Sequence, residues 1–177
     1  MQWLRVKSDY VVLIGEYPFH KQLKEEIVPI LEQYPDIQEK KTNVKATMTE
    51  WDWNPGSDRI ERLKQCINTE VYNYCQYNFV TQSQPMLFFK DFWGNVYRKG
   101  DYTQPHDHVG SVFSIVYFLK TKWYDSPLVF THSKKRIRPR EGTYVMFPSH
   151  LQHHVPKSRF EESRMTLSGN LNFIEGE

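Results

Sequence analysis

The fold of this chain is decided by two histidine-bearing stretches, Gln104-Pro105-His106-Asp107-His108 and His150-Leu151-Gln152-His153-His154-Val155. They hold five of the seven histidines. Side chains two positions apart in an extended segment point to the same face, so His106 and His108 can form a pair. A histidine from a distant strand then supplies the third corner of a metal site, and three protein ligands leave positions open for chemistry. Since both stretches are typical of strands, they predict a metal held by two walls of an all-β barrel.

From Met86 onward the sequence predicts short β-strands separated by turns. The predicted strands cover residues 86–97, 111–119, 127–131, 143–147, 152–155 and 164–173. Many short strands after a helical region favour a mainly β fold, the double-stranded β-helix or jelly roll of cupin-like proteins, over residues 86–173. Periodicity alone does not separate this fold from another sandwich. The histidines favour the jelly roll, because its open mouth gathers ligands from two distant strands.

The first half of the chain predicts a short strand at 11–14 and two helices that cover one face of the sheet. Apolar residues recur at helical spacing in the first helix, which Pro29 is expected to kink or split: Leu23, Ile27, Ile30, Leu31 and Tyr34. The second helix follows the turn Asn54-Pro55-Gly56, with Ser57 or Asp58 as its cap. Its apolar stripe is Ile60, Leu63, Ile67, Val71, Tyr74 and Cys75. With no repeat or linker, the chain is predicted to be a single domain, 1–177, in which 1–85 form a helical support region and 86–177 the jelly-roll core.

Composition limits the function classes. A chain of 177 residues suits one domain with a real core, and 23 Lys and Arg against 21 acidic residues give no case for nucleic acid. No stretch approaches the ~20 consecutive apolar residues of a membrane helix, and the N-terminus lacks a signal-peptide pattern. Cys66 and Cys75 fall on nearly opposite faces of one predicted helix and cannot bridge there. A reducing, cytoplasmic location is therefore expected.

The choice of metal ligands starts from the residue types. Imidazole suits iron, zinc, copper or nickel, so the ligands do not name the metal. The usual non-haem iron site has two histidines and a carboxylate, but here the second position after His106 is His108, and Asp107 points away in an extended strand. His106 and His108 are therefore the favoured pair, and Asp107 is the alternative if the strand breaks locally. A surface His-x-His that decorates a loop is the competing interpretation.

The second stretch offers three candidates for the third ligand. His153 shares a face with Leu151 and Val155, whereas His154 shares the opposite face with Gln152. A ligand in a small barrel lies among inward-facing apolar neighbours, which favours His153. His150 follows a turn, where its direction cannot be predicted.

Six segments, in this order and spacing, resemble a known family: 93–101, 105–108, 114–119, 139–142, 147–153 and 164–170. Together they resemble the 2-oxoglutarate and iron(II)-dependent dioxygenases, specifically an uncharacterised bacterial and phage branch related to prolyl hydroxylases. The resemblance is strong over about 88–173, whereas the first half matches only in general layout.

The resemblance implies Fe(II) and 2-oxoglutarate as cofactors, with His106, His108 and His153 as metal ligands. His108 stands where most of the superfamily has a carboxylate. The resemblance also implies a cosubstrate pocket in which Arg164 pairs with the distal carboxylate, Tyr97 bonds the cosubstrate, and Ser168 lies at the same carboxylate. Thr166 shares the face of Ser168 by alternation along the strand. Phe118 departs from a tyrosine seen in some relatives, so one cosubstrate hydrogen bond is expected to be missing.

The residues alone leave two interpretations open for each of three features. Met165, Leu167 and Leu171 make one strand face apolar, which leaves Arg164 facing either a barrel interior or solvent. The basic run 134–140 predicts a solvated connection, with contact to nucleic acid or an acidic substrate as the alternative. The tryptophans Trp51, Trp53 and Trp93 suit core or edge packing, with a substrate wall as the alternative.

The expected function is a 2-oxoglutarate-dependent dioxygenase that hydroxylates a C–H bond, with a peptidyl proline as the first substrate to test. The expected partners are the small-molecule cosubstrate and a protein, peptide or small-molecule substrate, with no membrane and no nucleic acid. Two alternatives stay open: a non-catalytic cupin-like binding protein, and a three-histidine dioxygenase that does not use 2-oxoglutarate. Only the preferred function requires Arg164 inside the barrel.

Overall fold

The computed structural model describes residues 10–35, 42–78 and 87–174, and the side chains of all of these except 74–78. The predicted stripe positions Tyr74 and Cys75 therefore lie outside the described side chains. Two helices are present in these residues: α1 (His20–Glu32) and α2 (Asp58–Asn78). The strands are β1 (Leu13–Glu16), β2 (Val44–Lys45), β3 (Thr47–Met48), β4 (Leu87–Tyr97), β5 (Tyr102–His106), β6 (Phe113–Lys120), β7 (Leu128–Phe130), β8 (Arg136–Ile137), β9 (Thr143–Pro148), β10 (His153–Val155) and β11 (Arg164–Phe173).

The strands form two sheets, and the prediction of a mainly β fold is confirmed. The larger sheet has the order β1-β9-β6-β11-β4-β3, and the smaller has the order β2-β5-β10-β7-β8. Neighbouring strands pair antiparallel throughout both sheets. The three strands of the first half add to sheets built by the second half. The division into a support region and a jelly-roll core stays a prediction.

Both helices pack on the outer face of the larger sheet. Each contributes an apolar stripe that is buried in one cluster with alternate residues of β6 and β11: Leu23, Ile27, Leu31, Ile60, Leu63, Ile67, Val71, Ile115, Tyr117, Leu119, Met165, Leu167 and Leu171. The approach of α1 is close at Gly94, where an added Cβ would lie 2.6 Å from Leu31 Cδ2. Neither α1 nor α2 combines the length and hydrophobicity that a membrane crossing requires.

The other face of the larger sheet points toward the smaller sheet. Aromatic and aliphatic residues fill part of the space between the sheets: Phe118, Leu128, Phe130, Val145 and Phe147. Because side chains alternate along a strand, β11 presents Met165 and Leu167 to the helices and Arg164, Thr166 and Ser168 to the interior.

The predictions for helix α1 and for the list of strands need correction. Helix α1 continues through Pro29 instead of splitting there, and it ends at Glu32, before Tyr34. The buried contacts of Leu23, Ile27 and Leu31 hold both sides of the proline in one helix, which offsets the hydrogen bond that proline removes. The stretch 104–108 is expected to be extended, but the six predicted strands include neither β5, whose Pro105 weakens the strand pattern, nor β8, which is only 2 residues long.

Truncating Leu31 tests the packing of α1 on the sheet. Leu31 is fully buried against Gly94, whereas its neighbour Ile30 is 38% exposed. We expect Leu31→Ala to lower the free energy of unfolding by about 2–5 kcal/mol in urea titrations, through lost burial and a cavity. The matched control Ile30→Ala should lower it by less than ~1 kcal/mol. Equal effects of the two substitutions would show that α1 does not pack in this orientation.

Candidate active site

Three histidines meet in one cluster: His106 at the end of β5, His108 just after it, and His153 at the start of β10. The cross-strand pairing of β5 and β10 places His106 opposite His153, and their ring centroids lie 4.4 Å apart. His108, two residues beyond His106, brings its ring to 4.8 Å from His106 and 5.3 Å from His153. One nitrogen from each ring lies within 4.8 Å of the others. Metal–nitrogen bonds of about 2.1 Å require cis ligands about 3 Å apart, so a shift of about 1–2 Å shared by the three side chains would close a site.

Backbone carbonyls orient two of these rings. His106 Nδ1 lies 2.8 Å from the carbonyl oxygen of Gln104, and His153 Nδ1 lies 2.9 Å from that of Leu151. When Nδ1 donates to a carbonyl, Nε2 carries the lone pair that a metal needs. His108 differs, because its Nδ1 lies 3.5 Å from the Asn170 amide nitrogen.

The pKa values of the three histidines favour the binding of a metal cation. Burial, reinforced by the charge of His106, lowers the pKa of His108 to about 4 and that of His153 to about 3. Burial also lowers the pKa of His106. All three imidazoles are therefore neutral near pH 7, which is the form that binds a metal ion.

The alternative ligand candidates point elsewhere. Asp107 is exposed, and its Oδ1 accepts a hydrogen bond from the Val109 amide at 3.4 Å. His150 is exposed and its ring packs against Tyr10. His154 lies on the outer side of β10, where its Nδ1 lies 3.2 Å from Thr131 Oγ1. Of the predicted candidates, the described structure brings together His106, His108 and His153 alone.

A ladder of paired residues on β4 and β11 lines the cavity beside the histidines. The rungs are Tyr97 with Arg164, Asn95 with Thr166, Trp93 with Ser168, and Asp91 with Asn170. The space between the atoms of this cavity, counted together with the open solvent at its mouth, is about 450 Å³. The first three of these pairs line the cavity together with the three histidines. All four predicted cosubstrate residues therefore lie on its wall: Tyr97, Arg164, Thr166 and Ser168.

Arg164 is the charged group of this wall. It is 2% exposed, and within the described residues none of its three guanidinium nitrogens has a hydrogen-bond partner. Its Cζ lies 4.9 Å from the ring centre of Tyr97 and 5.6 Å from that of Phe118, so two aromatic faces partly replace water around the cation. Burial lowers the pKa of Arg164 and raises that of Tyr97. An inward guanidinium without partners requires an anion.

Several residues of the wall are additions to the predicted set. Asn95 donates from Nδ2 to the hydroxyls of Thr166 and Ser168, at 3.3 Å and 3.2 Å, and fixes their orientation. Thr103 Oγ1 lies 2.7 Å from the Tyr97 hydroxyl. The signal for Asn95 was its alternation with Tyr97 along one strand, whereas Thr103 comes from a strand that the sequence pattern missed.

The remaining aromatic and histidine candidates divide between packing and the site. Trp53 is buried in the helix-side core, and Trp93 lines the cavity with Trp51 edge-on against it at 4.6 Å. His20 is the first residue of α1 and has its Nδ1 2.7 Å from the Tyr117 hydroxyl, and His132 is exposed. Trp53 therefore belongs to the core, whereas Trp93 forms part of the cavity wall.

Comparisons with known proteins agree with this geometry. Residues 127–170 match the family model described as a putative 2OG-Fe(II) oxygenase. No curated protein matches the chain in sequence. The viral collagen prolyl hydroxylase of Paramecium bursaria chlorella virus-1, solved with 2OG, has 13% identity and a TM-score of 0.68, covering 90% of this chain and 94% of that one.

Two further solved structures have the same fold. The prolyl-4-hydroxylase of Pseudomonas putida has 13% identity and a TM-score of 0.68, covering 94% of each chain. HygX of Streptomyces hygroscopicus, solved with nickel and 2-oxoglutarate, has 11% identity and a TM-score of 0.62, covering 91% of this chain and 82% of that one. The predicted jelly roll and the resemblance to the 2-oxoglutarate and iron(II)-dependent oxygenases are thereby confirmed.

Neighbouring histidines provide a matched test of the metal ligands. We expect His153→Ala to weaken binding of Fe(II), added without oxygen, by ~100-fold or more, because an inward-facing ligand is lost. His154→Ala should change it by less than about 3-fold, since this ring points outward and is no ligand. Calorimetric titration measures both affinities, and a reversed order would mean that β10 is displaced by one residue.

A second pair separates the two candidates for the remaining ligand. His108→Ala should weaken Fe(II) binding by ~100-fold or more, whereas Asp107→Ala should leave it within about 3-fold of the unmodified protein. Circular dichroism controls for folding in each variant. A large loss in Asp107→Ala would show that the local strand rearranges and the carboxylate completes the site.

Proposed function

We propose that this chain is an iron(II)- and 2-oxoglutarate-dependent oxygenase that hydroxylates a C–H bond of its substrate. One observation carries the proposal: a fully buried, unpartnered Arg164 shares a cavity with three converging, neutral histidines. A cation-binding cluster and an anion-requiring group in one cavity fit a ligand that is anionic at one end and chelates metal at the other. A 2-oxo dicarboxylic acid has both properties.

The residues fit the expected metal. His106 and His153 have their Nδ1 atoms at backbone carbonyls, which leaves Nε2 for the ion, and His108 offers a third neutral imidazole. Three protein ligands would leave coordination positions of the metal open for a chelating ligand. When bound, iron(II) and 2-oxoglutarate supply oxygen activation, oxidative decarboxylation to succinate and hydroxylation of the substrate.

The protein residues position and shield this chemistry. Arg164 binds the distal carboxylate through its planar fork of donors, which a lysine cannot reproduce. Tyr97 donates a hydrogen bond to the same end, and Thr166 and Ser168 present hydroxyls that Asn95 holds in place. Phe118 and Phe147 exclude water beside the two charged ends of the ligand.

The histidine at position 108 changes the charge of the site. A neutral imidazole in place of a carboxylate raises the net charge around the metal by one unit. This favours a dianionic chelate more strongly than the usual two-histidine, one-carboxylate site does. It also keeps the third position filled, as a hydroxylase requires.

The three-histidine set also favours a second candidate, a dioxygenase that chelates its substrate directly and uses no 2-oxo acid. Such an enzyme has no use for a buried guanidinium at the far end of the cavity. Arg164 therefore favours the 2-oxoglutarate enzyme over this candidate and over a non-catalytic binding protein.

The substrate and the location are finer parts of the proposal. A peptidyl proline is the proposed substrate, supported by the shared fold with prolyl hydroxylases, one of which was solved with a peptide fragment of hypoxia-inducible factor bound. We place the enzyme in the cytoplasm as a single domain of residues 1–177, on the sequence arguments given above.

Replacing Arg164 should separate stability from binding. In ligand-free protein, Arg164→Met removes an unpaired buried charge and should raise the free energy of unfolding by about 1–4 kcal/mol. The same change should weaken 2-oxoglutarate binding by ~100-fold, because the carboxylate loses its bidentate partner. Urea titration gives the first quantity. The second comes from anaerobic titration of the Fe(II) protein, in which the metal-to-ligand absorption band reports the bound cosubstrate.

The surface variant Arg62→Met controls for loss of a positive charge, and Arg164→Lys for loss of the fork alone. Arg164→Lys should still weaken 2-oxoglutarate binding by about 10-fold. A normal band in Arg164→Met, or no band in the unmodified protein, would contradict the proposed function.

Proline-containing peptides test the proposed substrate. With Fe(II), 2-oxoglutarate and oxygen present, mass spectrometry should find the gain of one oxygen atom on a peptide, together with stoichiometric succinate. A matched peptide with alanine in place of proline is the control. Succinate without peptide oxidation would contradict the proline substrate while leaving the use of 2-oxoglutarate intact.

A further inference from the structure

A row of arginines lies along the open edge of the smaller sheet. In the segment 136–140, Arg136, Arg138 and Arg140 are exposed, whereas Ile137 is half-buried and Pro139 is buried. The alternation places the three arginine side chains on the exposed side of this segment, of which Arg136–Ile137 form strand β8. In extended backbone, side chains two positions apart are separated by about 6.8 Å. An extended peptide with acidic residues at every second position has the same spacing.

This row borders a groove between the two sheets. Strand β1 is one edge of the larger sheet and β8 one edge of the smaller, and between them lies a groove of about 680 Å³ including its open side. Its lining combines Ile14 and Ile137 with Arg138 and Arg140. Ile14 is 60% exposed although it is a large apolar residue, so the groove offers apolar contact as well as charge.

Positive charge is concentrated in the part of the sequence that carries this row. Residues 126–160 contain seven of the 23 Lys and Arg residues but one of the 21 acids, so the rest of the chain has sixteen cations and twenty acids. That acid, Glu141, faces away from the groove and binds Lys24 and the Thr121 amide. In the described residues, Arg136 and Arg138 have no ion pair, and Arg140 pairs with Glu16 across the groove.

The hairpin before the row adds two cations at a conformational cost. Lys134 has φ 59°, and it is the single non-glycine residue in the described chain with a left-handed backbone. Such a conformation costs about 1–2 kcal/mol, and glycine or asparagine adopts it more easily. The turn therefore presents the ammonium groups of Lys134 and Lys135 beside the arginines despite a less favourable backbone.

The basic hairpin that precedes the row lies level with the metal cluster along the strands of the smaller sheet. His153 pairs with Phe130, whose amide bonds the Lys135 carbonyl at 2.9 Å. Two strand spacings, about 10 Å, therefore separate the backbone of His153 from that of Lys135.

We propose that the groove between β1 and β8 binds an extended acidic segment of the substrate, in which acidic and apolar residues alternate. The inference rests on the proposed function in one respect, that the bound segment belongs to the substrate. The acidic side chains pair with Arg136, Arg138 and Arg140, and the apolar side chains contact Ile14 and Ile137. A peptide fits better than single-stranded nucleic acid, which needs free aromatic rings for stacking. The outer side of the described strands of this sheet carries two rings: Lys157 lies over Tyr102 at 5.4 Å, and His154 lies beside Thr131.

The test uses a fluorescein-labelled peptide of alternating glutamate and valine, with protein that carries neither iron nor 2-oxoglutarate. Fluorescence anisotropy should show binding that weakens as salt increases. Arg136→Gln with Arg138→Gln should weaken it by about 10-fold, since two ion pairs are lost. Glu16→Gln should strengthen it by about 3-fold, because Arg140 is released from its internal partner.

The matched control is Lys21→Gln with Arg62→Gln, which removes two exposed cations from the helical side and should change affinity by less than about 2-fold. Four results would overturn the proposal: no binding, an equal loss in the control, weaker binding in Glu16→Gln, or tighter binding of an oligothymidylate of equal charge. Because the measurement needs neither metal nor turnover, such a failure leaves the proposed oxygenase intact. A missing cosubstrate band would in turn leave the peptide result intact.

Discussion

The structure depends on the alternation of side chains along β11, which lies between β4 and β6 in the centre of the larger sheet. One face of this strand, with Met165 and Leu167, anchors both helices. The other face carries Arg164, Thr166 and Ser168 into the cavity. A shift of one residue would put a guanidinium under the helices and apolar groups at the metal site. Folding and ligand binding therefore constrain the same register.

The buried charge of Arg164 makes this arrangement costly in the absence of ligand. A guanidinium without hydrogen-bond partners loses several kcal/mol of hydration, and the aromatic faces of Tyr97 and Phe118 recover only about 1–2 kcal/mol each. The larger core between sheet and helices must supply the difference. An anionic ligand that binds there finds the N–H donors of the guanidinium already in place, so that no reorganisation is needed. The packing of the helices on the sheet thus stabilises the buried Arg164 that binds the anionic ligand, although the helices are remote from the cavity.

Sequence patterns predicted the parts of the site that depend on local alternation. The His106 and His108 pair follows from a two-residue spacing, and the choice of His153 over His154 follows from its apolar neighbours. The contact between His106 and His153 depends on the register of β5 and β10, which pair with a bulge that no local pattern reveals. The inward direction of Arg164 was open for the same reason, because alternation names two faces and only tertiary packing decides which is interior.

The active-site cavity and the arginine-lined groove would both bind carboxylates, but the arginine is buried in the first and hydrated in the second. Arg164 is desolvated and unpartnered, so one carboxylate bound there gains strength from the low dielectric around it. The arginines at the edge of β8 stay hydrated, and each contributes little alone. Several weak pairs at regular spacing select a charge pattern along a chain, whereas one strong pair selects a particular small molecule. Binding of a fixed cosubstrate and of a longer acidic segment therefore uses two different arrangements of arginine.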